Sequence, residues 1–423
     1  MKSGSNAKTD TLELWLDYDL GPPQQIGVVA HDDGRIRFKY TETWLADENA
    51  FALGPDLPLG TDTCFPHSAL ANFGALKDTC PNFWGTVLMQ GWEILQSHNE
   101  GRDPRKLGAW DWMVQVQDMT RQGALRLRVP GTTGFINNAA VPAPPVAELP
   151  KLAATAQAFQ ILHMRRMVGN DPVWQALKTL FVPTTSLGGA RPKANFLDAN
   201  GTLWIAKFPA HGDWRDVGAW EFLVHRLARR AGIRVPEAKL LPLGLRWRTF
   251  CSKRFDRIDG KRRLYVSAMT LLNKVPGDRA SYLEIAEWIA SQDAQHMGDD
   301  LAQLFRRAVF NVAVGNRDDH LRNHGFLRER HAWRLAPAFD MNPDGHRRTH
   351  TLFLDDSDDM PSLDTVLATA SFYELTPLAA RDIVSQVVEV VRGWEVEATI
   401  LGIPRSDIRE GEGAFRAING WVP

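Results

Sequence analysis

The stretch from Gly315 to Asp340, GNRDDHLRNHGFLRERHAWRLAPAFD, restricts the folds open to this chain more than any other. Two short apolar runs, Gly325-Phe326-Leu327 and Trp333-Arg334-Leu335-Ala336, flank a largely polar tip at residues 328–332, which predicts a β-hairpin with a five-residue loop. With the turn centred near Arg330, antiparallel pairing sets Asn323 opposite Pro337, three residues from Asp340. A carboxamide and a carboxylate 17 residues apart in sequence are thereby expected at the same open end. Asp318 lies five residues before Asn323, in a loop that follows an apolar helix.

An Asp, four residues, an Asn, then a hairpin that returns a second Asp is the arrangement protein kinases use for phosphoryl transfer. The first Asp accepts the proton of the substrate hydroxyl, while the Asn and the last Asp hold Mg²⁺ against the phosphates. The spacing D-x-x-x-x-N arises often by chance; the hairpin makes it informative. Asp318 and Asp319 compete for the first role, and only Asp318 stands at the required distance from Asn323. His320, beside this loop, reads as a residue that orients backbone through a hydrogen bond rather than as a base or metal ligand.

At 423 residues the chain exceeds what one core usually supports, so two or three domains are expected. A net charge of −1 gives no whole-protein attraction to nucleic acid, so any DNA contact needs a local patch or a partner. Cys64, Cys80 and Cys251 are far apart, odd in number and match no zinc spacing, as in a reduced cytosolic protein. The start, MKSGSNAKTDT, lacks the apolar core of a signal peptide, and no run approaches the ~18 apolar residues that cross a bilayer. A cytoplasmic location, with no membrane partner, is the expectation.

Residues 12–17 and 26–40 read as strands, the second broken by the hairpin dipeptide Asp33-Gly34, and open a β-rich unit over residues 1–128. Residues 73–89 read as partly helical, and 110–128 return to alternating or amphipathic patterns. No cluster of nucleophile, base and anion-binding groups appears there, so this unit reads as a packing or partner-docking module. Residues 129–150, with VPAPPVAELP, hold neither helix nor central strand and form a linker. Helical spacing resumes at residues 151–167.

Next, Thr184-Thr185-Ser186-Leu187-Gly188-Gly189-Ala190 gives a loop whose backbone can approach phosphate oxygens, though it matches neither a Walker A motif nor the glycine triplet of protein kinases. The apolar strand Leu203-Trp204-Ile205-Ala206 then ends on Lys207, in the manner of the lysine that pairs with nucleotide phosphates. Residues 214–230 read as an amphipathic helix closed by Gly232; Glu221 lies on it, where a partner for Lys207 would sit or where it faces solvent. Strands at 233–243 and 247–255 lead to Lys253-Arg254-Phe255-Asp256-Arg257, a hinge whose backbone could meet an adenine edge. Beyond it, helices are expected at 280–290 and 300–314, the latter stopping at Gly315-Asn316. Asp355, Asp356, Asp358 and Asp359 lack the glycine and bidentate glutamate of an EF-hand and read as a solvated turn. Residues 363–401 are helical by pattern.

The segments SLGGARPKA, IAKFP, KRFDR, GNRDDHLRNHGFL and WRLAPAFDM, in that order, resemble the HipA family of bacterial serine/threonine kinases, the toxins of type II toxin–antitoxin modules. The likeness extends to IGVVAHDDGRIRFKYTETWL and FGALKDTCPNFWG near the N-terminus. The resemblance implies an α+β, protein-kinase-like two-lobed fold with a β-rich N-terminal subdomain (1–128), a linker (129–150), a small lobe (151–253) and a mainly helical large lobe (254–423). It implies dependence on ATP and Mg²⁺, with Asp318 as base, Lys207 on the phosphates, and Asn323 and Asp340 as metal ligands. Ser186, Leu187, Gly188, Gly189, Ala190, Lys253, Phe255, Asp256 and His320 fall into the nucleotide site by the same matching. Ser186 matches the serine whose autophosphorylation ejects the glycine-rich loop and silences the kinase; negative charge on a phosphate-cradling loop would repel ATP.

Family members act on aminoacyl-tRNA synthetases, arresting translation and producing a dormant, drug-tolerant state. A small helix-turn-helix antitoxin, HipB, restrains them and carries the complex to operator DNA. Gly188-Gly189-Ala190-Arg191 and Arg322 depart from the commoner residues at those places, so substrate choice does not carry over, and Thr184 and Thr185 are further candidate phosphorylation sites. Two other readings stand beside the toxin kinase: a small-molecule phosphotransferase sharing the Asp-to-Asn spacing, and a catalytically dead co-repressor.

Overall fold

The chain divides into two compact units, each drawn from two segments: Met1–Ile205 with Asp256–Val266, and Ala206–Phe255 with Ser267–Pro423. The computed structural model describes residues 10–32, 34–81, 83–138, 143–164, 191–292 and 295–422.

In the first unit, strands β1 (Asp10–Leu16), β2 (Gln24–Asp32), β3 (Arg35–Tyr40) and β4 (Leu125–Arg128) form an antiparallel sheet in the order β3-β2-β1-β4. Period-two burial explains it: Leu12, Leu14 and Leu16 of β1, and Ile36, Phe38 and Tyr40 of β3, all face the core. Asp32 pairs with Arg35 across a two-residue connection whose second member, Gly34, has φ 79°, a value that costs a residue without Cβ nothing. Helices Phe83–Asn99 and Leu149–Met164 also belong to this unit, with Trp84 set edge-on to Phe159 at 6.1 Å.

The short excursion Asp256–Val266 completes the first unit with polar contacts. Arg262, buried, donates to the carbonyl oxygens of Asp118 (2.6 Å), Gly123 (3.2 Å) and Arg121 (3.3 Å), and Arg257 donates to those of Arg121 (2.8 Å) and Met119 (2.9 Å). Two guanidiniums thus satisfy a turn whose carbonyls have no strand partner.

The second unit is assembled on the helix Met297–Val314, whose Leu301, Leu304, Phe305, Ala308, Val309 and Phe310 are all buried. It packs against the helices Tyr282–Ala290 and Pro377–Arg392 and the 3₁₀ segment Glu412–Ile418. The hairpin strands Gly325–Arg328 and Trp333–Leu335 are fastened to it by charge. Buried Asp300 accepts from Arg334 Nε (2.8 Å), from the Leu335 N–H (2.9 Å) and from Arg234, while Arg307 donates to the Ala336 carbonyl at 2.5 Å. Burial works against the Asp300 carboxylate, but these donors offset it and hold its pKa below the ordinary value. Ala238–Leu241 and Thr249–Lys253 pair antiparallel in the same unit.

The hairpin forms with a register one residue away from the expected one. Phe326 faces Leu335 and Arg328 faces Trp333, so the ladder extended would bring Asn323 opposite Ala338 rather than Pro337. The loop is correspondingly shorter than five residues, since Arg328 joins the strand and the Glu329 N–H bonds the Ala332 carbonyl at 2.8 Å. The guanidinium of Arg328 lies 5.6 Å from the Trp333 ring, a cross-strand contact that draws this polar residue into the strand.

Candidate active site

Lys207 closes the strand Leu203–Lys207, and the helix Val217–Arg230 brings Glu221 to it. Asp216 caps that helix by accepting the Ala219 N–H at 3.0 Å. Gly218, in its first turn, lies so close to residue 248 that a Cβ would meet the Arg248 carbonyl oxygen at 2.4 Å; the absent side chain lets the helix approach. Glu221, buried on the inner face, has its Oε1 2.5 Å from Lys207 Nζ.

Asp340 Oδ1 reaches the same ammonium at 2.7 Å, and the Phe250 ring centroid lies 5.7 Å from it. Burial alone would depress the lysine pKa, but the facing carboxylates of Asp340 and Glu221 outweigh it and raise the pKa above the ordinary value. Asp340 sits at φ 59°, in the left-handed region that Asp tolerates better than most residues. Its neighbour Phe339 packs on Phe255 with ring centroids 5.6 Å apart.

The Asp318 loop begins where the helix Met297–Val314 ends. Gly315 adopts φ 65°, the Asn316 N–H returns to the Asn311 carbonyl at 2.8 Å, and a Cβ on Gly315 would lie 2.4 Å from the Ala414 carbonyl oxygen. Asn316 then joins three segments, donating to Asn311 Oδ1 (3.0 Å) and accepting the Asn342 N–H (3.3 Å). The two adjacent aspartates point into opposite environments. The Asp318 side chain is 63% exposed, whereas Asp319 is buried.

Asp319 Oδ2 accepts from Tyr282 Oη (2.5 Å), His324 Nε2 (2.7 Å) and Asn311 Nδ2 (3.0 Å). Burial opposes its charge, yet His324 and the other donors prevail and keep its pKa below the ordinary value. Asp319 therefore anchors the loop from beneath and leaves Asp318 facing solvent. Among the described residues, the one ion-pair partner of Asp318 is Arg347, whose Nη1 lies 2.6 Å from Asp318 Oδ1.

Asn323 ends the 3₁₀ turn Leu321–Asn323, buried, with its N–H on the carbonyl of half-buried His320 at 2.8 Å. Lys253 is exposed at the end of its strand, its N–H bonded to the Glu237 carbonyl at 2.8 Å. Asp256 belongs to the first unit, where its carboxylate accepts the Gly123 N–H and Arg257 Nη1, each at 2.8 Å. Ser186, Leu187, Gly188, Gly189 and Ala190, with Thr184 and Thr185, lie outside the described residues. Of the remaining candidates, the structure joins Lys207, Glu221 and Asp340 by direct contact.

Sequence reasoning missed Arg347, Tyr282 and Asn311. Asn311 carried a signal, a lone carboxamide inside the apolar run AVFNVAV; Arg347 carried none. Asp355 and Asp358 organise their own turn, Asp355 Oδ1 accepting the N–H groups of Ser357 and Asp358 at 2.6 Å each. Among the described residues, no helix is long and apolar enough to cross a membrane.

Comparison with known proteins gives three likenesses. Residues 185–394 match the family model described as the HipA-like C-terminal domain. A curated relative from Sinorhizobium fredii (strain NBRC 101917 / NGR234), named "Putative kinase Y4dM", is 24% identical over 331 residues, 73% of this chain and 72% of that protein. HipA from Shewanella oneidensis MR-1, solved in complex with HipB and its operator DNA, superposes with a TM-score of 0.65 at 16% identity, covering 96% of this chain and 95% of that one. The likeness shows a HipA, kinase-like α+β fold running through both units.

Proposed function

Since residues 185–394 belong to the HipA-like C-terminal domain family, we propose that this chain is an ATP- and Mg²⁺-dependent serine/threonine-protein kinase, the toxin of a HipBA-like toxin–antitoxin pair. The observation that carries the reading is Lys207 held between Glu221 and Asp340, with exposed Asp318 on an anchored loop of the same unit.

In this mechanism the hydroxyl oxygen of the substrate attacks the γ-phosphorus of ATP. The new O–P bond forms as the bond to the ADP oxygen breaks, and the hydroxyl proton passes to the Asp318 carboxylate. Lys207, oriented by Glu221, binds the phosphates and leaves its contact with Asp340 as they arrive. Asn323 and Asp340 would hold Mg²⁺: a carboxamide and a partly exposed carboxylate offer the hard oxygens this ion takes alongside phosphates and water. When bound, the ion neutralises charge developing on the phosphate oxygens.

Lys253, Phe255, Asp256, His320 and the segment Ser186–Ala190 complete the proposed nucleotide site, and autophosphorylation of Ser186 would silence it by repelling ATP. The proposed lobes are residues 151–253 and 254–423, after an N-terminal subdomain (1–128) and linker (129–150). The proposed target is an aminoacyl-tRNA synthetase or another translation component in the cytoplasm, phosphorylated to arrest growth. A HipB-like antitoxin would carry the chain to operator DNA; the Shewanella HipA complex with HipB and DNA supports that partner.

The test is transfer of the γ-phosphate of labelled ATP by the wild type and by Asp318→Asn. The substitution should lower transfer to protein on the order of 10²–10³-fold without changing the melting temperature. Transfer to small alcohols alone would make the chain a small-molecule phosphotransferase, and full activity in the variant would remove Asp318 from the chemistry.

A further inference from the structure

The loop that follows Asp340 returns to Asp318 through one side chain. Arg347 Nη1 lies 2.6 Å from Asp318 Oδ1, and the same guanidinium donates to Thr351 Oγ1 at 3.2 Å and has its Nε 3.4 Å from Asp344 Oδ2. Its backbone is fixed as well: the Arg347 N–H donates to Asp344 Oδ1 at 3.2 Å, and its carbonyl accepts from Arg317. Asp344 and Thr351 are in turn tied to the Asp318 loop, the Asp344 N–H to the Gly315 carbonyl (2.8 Å) and the Thr351 N–H and Oγ1 to the Arg317 carbonyl (3.0 and 3.1 Å). A half-exposed arginine has many rotamers in water; here neighbours on both sides of the guanidinium select one.

We infer that Arg347 is the positioning residue of Asp318, setting the direction of its carboxylate toward the acceptor hydroxyl. The inference rests on the proposed kinase reading and goes beyond it by naming the group that aims the base. Asp319 anchors the loop backbone from below, and Asp318 itself projects into solvent, where a carboxylate rotates freely. Arg347 removes that freedom and does so from the segment that begins with Asp340. The acceptor-side and metal-side carboxylates are thereby linked over eight residues, Asp340 to Arg347. Misdirecting a reacting group by about 1 Å commonly costs up to 10²-fold in rate, so loss of Arg347 should act on turnover.

The experiment compares wild type, Arg347→Ala, Arg347→Lys and Asp318→Asn in the full-length chain, reading kcat and KM for ATP with a serine-containing protein acceptor, and ATP–Mg²⁺ affinity by calorimetry. Arg347→Ala should lower kcat roughly ten-fold, with KM for ATP and nucleotide affinity unchanged, and Arg347→Lys should recover part of the loss. In an Asp318→Asn background the Arg347→Ala change should have no further effect, because the group it aims is gone. An unchanged or raised kcat in Arg347→Ala, or equal losses in both backgrounds, overturns the inference while leaving the kinase reading intact. If Asp318→Asn is itself fully active, Asp318 is removed from the chemistry and the inference falls with it; absence of phosphoryl transfer from ATP by the wild type is the separate outcome that overturns the kinase reading.

Discussion

Lys207 sets one ammonium against two carboxylates, those of Glu221 and Asp340. Its pKa is raised in the folded state, so the stability it contributes is fully present below its ordinary pKa and is lost only as pH rises through the higher folded value. Melting temperature should therefore show no Lys207 contribution to its pH dependence between pH 6 and 9. Glu221→Gln leaves the lysine facing Asp340 alone, and kcat/KM for ATP should fall on the order of ten-fold, measured by steady-state kinetics. His350 behaves oppositely. Buried at 3% exposure, its imidazole is pushed down to about 4, chiefly by burial. The unfolded chain takes up this proton from about pH 6.5 downward and the folded chain only near pH 4, so stability falls as pH drops through that window, by ~3 kcal/mol in all. Thermal melts of wild type and His350→Gln from pH 7.5 to 4 check this: the slope should flatten in the variant.

The elements were largely legible because their signals are local. Alternation marked β1 and β3, helical spacing marked the helix Met297–Val314, and the two apolar runs marked the hairpin. Its register slipped because polarity suggested Arg328 for the tip, whereas the Trp333 ring holds it in the strand. The spacing from Asp318 to Asn323 and the lysine at a strand end, on which the proposed chemistry rests, were legible as positions in the sequence. Arg347 was not, because it arrives on an irregular loop where no periodicity ties residue number to direction. The Gly315 stop was legible as a helix end but not as a packing site. Its positive φ and the Ala414 carbonyl 2.4 Å from a would-be Cβ predict that Gly315→Ala costs about 2–4 kcal/mol, read as a lowered urea midpoint with unchanged m-value. Tyr282→Phe, which removes one of three donors to buried Asp319, should cost about 1–3 kcal/mol by the same measurement.

At the scale of the whole molecule, charge and chain order matter more than any single contact. With a net charge of −1, the chain alone should bind DNA weakly and without sequence preference; on the proposed toxin reading, an added helix-turn-helix partner should confer operator binding that weakens steeply with salt. Gel shifts at two salt concentrations check this. The backbone passes between the two units at residues 205/206, 255/256 and 266/267, so neither unit is one continuous piece of sequence. Arg257 and Arg262, which satisfy the carbonyls of residues 118–123, reach the first unit only with its second segment. On the ribosome, therefore, the amino-terminal half waits with those oxygens hydrated while the next fifty residues, destined for its neighbour, are made. A gene cut after codon 205 would not release a self-sufficient cassette, and recombination between relatives is expected to exchange the two halves together or not at all.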